Sequence, residues 1–272
     1  MTALVGILVP AAPWSARLVG AGSKAVSLLH PDGALVSVVA RKSDMEARAM
    51  GHGEWARFRN ELEPLLDSQD AMVGWDGSRL LCAGRATLDF SEASVWDPRP
   101  LIRRAGRPPR SVASMEAMLQ EAMRAADPDG EDYGIHGGGP FASGFAALEA
   151  ADGFPANLVG FGPGTTPAGD DWLAGYLAAA DMEAGTPGQA SGELRERVAE
   201  RLGTTTAAGR SLLLGALAGI PPAYIVALAL ALATGGAADL EAAVRAALGH
   251  GASSGRDALS GLAAGIRAAV VA

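Results

Sequence analysis

The chain has 272 residues, 49% of them hydrophobic, with a formal net charge of -8 and a pI near 5.0. That hydrophobic content excludes wholesale disorder, and the acidic balance argues against a general nucleic-acid binder, which needs a basic face to neutralise phosphates. The single cysteine, Cys82, leaves no internal disulfide or cysteine metal cluster to form, and one thiol fits a reducing, cytoplasmic setting.

The opening "MTALVGILVPAAPWSA" has an apolar run and small residues after it. It carries no Lys or Arg before the run, so it is not expected to act as an export signal. "KAVSLLHPDGALVSVVA" follows, two β-prone runs joined at Pro31-Asp32-Gly33, which predicts a hairpin. A helix is expected at about residues 54 to 66, where Trp55, Phe58, Leu62 and Leu65 share one face. "AMVGWDGSRLLCAG" repeats the hairpin device around Asp76-Gly77, and "RATLDFSEASVW" reads as one further strand.

"RRAGRPPRS", residues 103 to 111, is basic, contains two prolines and has no periodic pattern, so it reads as a boundary. Beyond it the chain turns Ala-, Leu- and Gly-rich. Helical periodicity appears at about 112–126, 168–184, 192–202, 208–219, 222–234, 238–248 and 255–270. The expected fold class is therefore α+β: a β-rich N-terminal domain, residues 1–108, followed by an all-helical C-terminal domain, residues 109–272. The most apolar stretch, "SLLLGALAGIPPAYIVALALALATGG", is cut by Pro221 and Pro222. Its uninterrupted part falls short of the roughly 20 residues that span a bilayer, so it predicts a pair of buried helices and no membrane partner.

Three helices of the second half are approached through Gly-, Ser- and Thr-rich segments. In "GFGPGTTPAGDDWLAG", Thr166 is placed to cap a helix and Pro167 to start it, with Asp170 and Asp171 in the first turn. At an exposed helix start, acidic residues merely complement the dipole, for roughly 0.3–1 kcal/mol each. This helix is apolar nearly all round, which predicts burial. A buried carboxylate needs a partner, and a metal, a cationic substrate group or hydrogen-bond donors would each supply one. In "RLGTTTAAGRSLLLGALAG", Gly203 suits a helix end and one of Thr204, Thr205 and Thr206 suits a cap, leaving more threonines than one cap requires. Arg210 is open to two readings there, an anion contact or a solvated face. In "LGHGASSGRDALSGLAAG", Ser254 and Asp257 have capping-box spacing, and His250 lies in the glycine-rich approach. His136 lies in another flexible segment, "YGIHGGGPFASG". No stretch matches a P-loop, a zinc signature, a dinucleotide fingerprint or a nucleophile elbow, so neither nucleotide nor haem is expected.

These motifs resemble the AllH-like family. "LVGFGPGTTPAGDDWLAG" is similar to its pattern G-x-G-x-G-L-T-P-S/A-G-D-D-F/W-L-x-G, with Thr165 in place of the usual Leu. "TTTAAGRSLLLGALAG" resembles its Thr-rich second block and "GHGASSGRDALSGL" its third, with extra small residues between His250 and Ser254. The resemblance implies a subunit of an oxamate carbamoyltransferase. Such an enzyme converts oxalurate and phosphate to oxamate and carbamoyl phosphate in allantoin breakdown, within a hetero-oligomer. It implies catalytic roles for Asp170, Asp171, His250 and Asp257, and substrate contacts from Gly162, Gly164, Thr166, Gly169, Thr206, Ser211, Ser254 and Gly255. Mg²⁺ held by Asp170 and Asp171 is the implied cofactor, and a small anion the implied substrate. Two other classes compete: a metal-dependent hydrolase or phosphotransferase using the same Asp pair, and a non-catalytic scaffold subunit.

Overall fold

The computed structural model describes residues 2–66, 68, 71–82, 85–105, 112–126, 135 and 140–271. The chain divides into two compact units, Met1–Asp97 and Pro98–Ala272.

Among its described residues the first unit has nine strands and one α-helix. They are β1 (Leu4–Gly6), β2 (Trp14–Ala21), β3 (Ala25–Leu29), β4 (Leu35–Val39), β5 (Ala49–Gly51), α1 (Trp55–Leu62), β6 (Met72–Trp75), β7 (Arg79–Cys82), β8 (Arg85–Asp89) and β9 (Ser94–Trp96). The sheet order is β8-β7-β6-β2-β3-β4-β5-β1-β9, antiparallel except for the β4–β5 and β1–β9 pairs. Both expected hairpins form, and local chemistry explains why. Asp32 Oδ1 accepts from the Ala34 N–H at 3.0 Å, and Asp76 Oδ1 accepts from the N–H groups of Ser78 and Arg79 at 2.9 and 2.7 Å. Each aspartate thereby closes its own turn, as short acceptors do at such positions. Alternate residues Val26, Leu28, Val36 and Val38 are buried, and α1 lays Trp55, Phe58 and Leu62 on the same core. "RATLDFSEASVW" gives two strands instead of one. Asp89 Oδ1 accepts from the Ser91 N–H at 2.8 Å, and that turn separates β8 from β9. The opening segment supplies β1 and β2.

Among its described residues the second unit has helices and no strand. Its helices are α2 (Arg99–Ala105), α3 (Val112–Ala126), α4 (Pro140–Glu149), α5 (Ala168–Ala184), α6 (Gly192–Glu200), α7 (Ala207–Leu217), α8 (Ala223–Thr234), α9 (Ala237–Leu248) and α10 (Ser254–Val271). Seven match the periodic segments. Of the other two, α2 has seven residues, too few to show a period, and the first half of α4 falls in the Gly-rich segment read as flexible. α2 takes in residues 103 to 105 of the stretch read as a boundary, while residues 106–111 lie outside the described ones. α4 takes in the end of the segment read as flexible, and His136 also lies outside the described residues. The prolines act as expected: α7 stops at Leu217, and α8 begins directly after Pro222. No described helix is long and apolar enough to cross a membrane.

α5 and α10 pack closest of all, and two glycines make this possible. A side chain at Gly175 would run into the Ala258 carbonyl, and one at Gly261 into the Trp172 carbonyl. The small-residue bias of the sequence is thus a close-approach device, and it places the N-terminal turns of these helices side by side.

Candidate functional site

The first turn of α5 is fully enclosed: Asp170 is 0% and Asp171 2% exposed. Pro167, not Thr166, is the residue that precedes the helix, and its carbonyl accepts from the N–H groups of Asp170 and Asp171. The expected Thr166 cap is therefore corrected. Its hydroxyl is used elsewhere, by Asp171.

The two carboxylates turn to different neighbours. Asp170 Oδ1 accepts from the Gly160 N–H at 2.8 Å, and Oδ2 accepts from the Thr205 hydroxyl. Gly160 has φ +76°, a conformation that favours glycine, and this turns its N–H onto the carboxylate. Gly209 in α7 faces the same point: a Cβ there would collide with Asp170 Oδ2 and Thr205 Oγ1. Asp170 thus fastens the Gly-rich approach of α5 to the start of α7.

Asp171 fastens α5 to α10. Its Oδ2 accepts from the Thr166 hydroxyl at 3.1 Å, and that hydroxyl lies 3.1 Å from Ser254 Oγ. Ser254 is the first residue of α10 and so sits inside the helix; the expected capping box is replaced by this contact across helices. Asp257, 1% exposed, accepts from the Ile135 N–H at 2.9 Å and faces Asp171 closely enough for its charge to disfavour ionisation of Asp171.

Burial dominates the protonation of both aspartates. It raises Asp170 to about 6 despite the hydrogen bonds from Thr205 and Gly160. It raises Asp171 well above the ordinary carboxylate range; Ser254 and Thr166 pull the other way, and Asp257 and Asp170 add to the rise. Each acid is provided with neutral donors rather than a cation.

The remaining predicted residues distribute as follows. Thr206 caps α7, accepting from the Gly209 N–H at 2.9 Å, and its hydroxyl donates to the Thr165 carbonyl at 2.6 Å. The surplus of threonines is explained by Thr205, which touches Asp170 and which the block resemblance passes over. Gly162 and Gly164 shape the loop, with φ of +95° and +106°. Gly169 and Gly255 are packing glycines, facing the carbonyls of Leu158 and Ala247. Ser211 is buried within α7. His250 stacks on Tyr224 of α8, ring centroids 4.2 Å apart. Arg210 is half-buried, and its Nε has no hydrogen-bond partner among the described residues.

The donor set does not fit Mg²⁺ shared by the Asp pair. Such an ion asks for near-octahedral oxygen ligands, whereas both oxygens of Asp170 already accept from protein donors and Asp171 turns to another helix. Among the described residues, no three His, Cys, Asp or Glu side chains gather so as to hold a metal.

A buried cluster that joins three helix starts through Gly, Thr and Asp defines this unit. Residues 158–266, which contain all of it except Ile135, match the family described as oxamate carbamoyltransferase subunit AllH. The resemblance read from the sequence holds over that span, and the family is by its description a carbamoyltransferase subunit. No curated protein and no solved structure matches the chain.

Proposed function

We propose that this chain is the AllH-type subunit of a hetero-oligomeric enzyme that transfers a carbamoyl group from oxalurate to phosphate. One observation carries the reading: Asp170 and Asp171 bring the N-terminal turns of α5, α7 and α10 together. Helix N-termini carry the positive end of the dipole, so a meeting of three suits anions. Both substrates of the reaction are anions. The carboxyls at the junction are pushed towards their neutral forms, which lessens their repulsion of an incoming anion.

In the reaction, a phosphate oxygen attacks the carbamoyl carbon and the bond from that carbon to the oxamate nitrogen breaks. The proton of hydrogen phosphate ends on that nitrogen, so atoms and charge balance and no oxidant is needed. The chain's part is to orient the anions and steady the leaving oxamate, by loop N–H groups and the hydroxyls around Thr166 and Ser254. Asp170 and Asp171 act as positioning residues, and the reading needs no cation held between them.

The test is ³¹P NMR of oxalurate and inorganic phosphate with the chain co-purified with its partner subunits, in EDTA and in Mg²⁺. A carbamoyl phosphate resonance that grows in both buffers, and at least tenfold more slowly in a Thr166→Ala, Ser254→Ala double variant, is expected. Absence of that product from the wild-type complex in either buffer would refute the reading.

A further inference from the structure

We infer that Arg210, at the start of α7, is a substrate-binding residue that holds a small oxyanion, phosphate or carboxylate. The inference rests on the function proposed above and names a side chain through which this chain grips an anion.

The placement of the charge comes first. Arg210 lies one turn after Thr206, the residue that caps α7. The helix dipole opposes a cation at this end, so local stability does not account for it, whereas the same dipole favours an anion bound there. The second observation is that the guanidinium is unpaired. Other arginines meet carboxylates: Arg195 meets Asp181 at 2.6 Å, Arg48 meets Asp32 at 2.9 Å and Arg245 meets Glu241 at 2.5 Å. Arg210 meets none among the described residues. Asp170 abuts Gly209, the neighbour of Arg210 in the chain, but its oxygens take the Gly160 N–H and the Thr205 hydroxyl instead. Arg210 is also not spread on a solvated face. It is half-buried with Nε enclosed, while its two Nη groups are not enclosed and so reach the surface, open to a ligand.

Position supplies the third. Residues four apart share a helix face, and long helical side chains lean back towards the helix start. Arg210 is thereby carried over Thr206, whose hydroxyl donates to the Thr165 carbonyl at 2.6 Å, beside the Gly-rich approach to α5. Gly164 and Thr165 of that approach are exposed, and their N–H groups have no acceptor among the described residues. An oxyanion seated here would take the guanidinium fork and loop N–H groups together, and the fork matches carboxylate and phosphate alike.

Inorganic phosphate and oxamate, titrated separately by calorimetry into the full-length chain, are the probes. Saturable binding of at least one is expected, and the anion weakened in Arg210→Gln identifies the occupant. That weakening should be roughly tenfold or more, the worth of one charge-assisted pair. Arg210→Lys, which keeps the charge and loses the fork, should fall between. Arg124→Gln, the same loss of charge at an exposed site on α3, should bind as wild type does. In the wild-type chain, the ¹⁵N signal of the Arg210 side chain, assigned by its loss in Arg210→Lys, should shift as the anion is added. No saturable binding of either anion, wild-type affinity in Arg210→Gln, an equal loss in Arg124→Gln, or an Arg210 signal unmoved at saturation would overturn the proposal. Binding is read without partner subunits or turnover. A complex that makes no carbamoyl phosphate therefore refutes the proposed function alone, and wild-type binding by Arg210→Gln refutes the role of Arg210 alone.

Discussion

One helix holds buried carboxylates at both ends and treats them differently. At the start of α5, Asp170 and Asp171 are met by N–H and O–H groups. Near its end, Asp181, 1% exposed, is met by a cation: Arg195 Nη2 donates to Oδ1 at 2.6 Å, and the Gly188 N–H to Oδ2 at 3.0 Å. Arg195 also donates to the carbonyls of Ala190, Ala216 and Leu217, so it gathers the loop before α6 and the end of α7 onto α5. Burial pushes Asp181 up as well, but Arg195 pulls it back. The difference is instructive. A guanidinium makes a fixed clamp, whereas neutral donors leave the acid able to exchange its charge for a proton.

The clamp is the easiest part to break. Arg195→Ala leaves Asp181 buried without its cation and strips three carbonyls of a donor. Removing one partner of a buried pair costs about 3–5 kcal/mol. For a chain of this size that is a fall of roughly 10 °C or more in Tm. Thermal unfolding followed by helical circular dichroism reads it, and a Tm within two degrees of wild type would mean the clamp contributes little. The opposite end should respond on a similar scale. Asp170→Ala strands the Gly160 N–H and the Thr205 hydroxyl, at about 1–3 kcal/mol for each group left unsatisfied. Asp170→Asn keeps an acceptor for Gly160 and a polar partner for Thr205, so its Tm should lie well above that of the alanine variant. Equal melting of the two would show that hydrogen bonding is not what Asp170 supplies.

The sequence carries these two ends unequally. The Asp170-Asp171 pair stands out because two charges open an apolar helix, and burial with partners follows from that pattern. The identity of the partners does not follow, because Thr205 and Gly160 are brought in by loop geometry rather than by spacing. The Asp181–Arg195 clamp leaves no local trace at all: its members are 14 residues apart on separate helices, and each alone looks like an ordinary surface charge. The same limit runs through the fold. Both hairpins are written in their Asp-Gly turns and seven helices in their periods, while β1, β5 and α2 are too short for any period to register and α4 opens inside a Gly-rich stretch that reads as flexible. Thr166 and Ser254 carry capping signatures, yet tertiary contacts take both hydroxyls for the cluster around Asp171.

The smallest effect, and the one that separates the two ends most cleanly, is on pH dependence. The folded chain holds Asp170 at about 6, against 3.8 for an ordinary aspartate. Between those values the folded state binds more protons than the unfolded one, so stability falls as pH rises. The favourable contribution is complete below about pH 4 and is lost through pH 6. Asp171, shifted in the same direction, adds to the slope. Asp170→Asn is neutral at every pH and removes the Asp170 share. Its melting temperature relative to wild type should therefore rise by a few degrees between pH 5 and pH 8, whatever the offset at pH 5. Arg195→Lys is the comparison at the clamp, where a cation persists, and its offset from wild type should stay nearly constant across the same range. Melting curves at half-unit pH steps decide it. An offset for Asp170→Asn that does not change with pH would mean that Asp170 is ionised throughout, and that its neutral donors hold the charge as firmly as Arg195 holds that of Asp181.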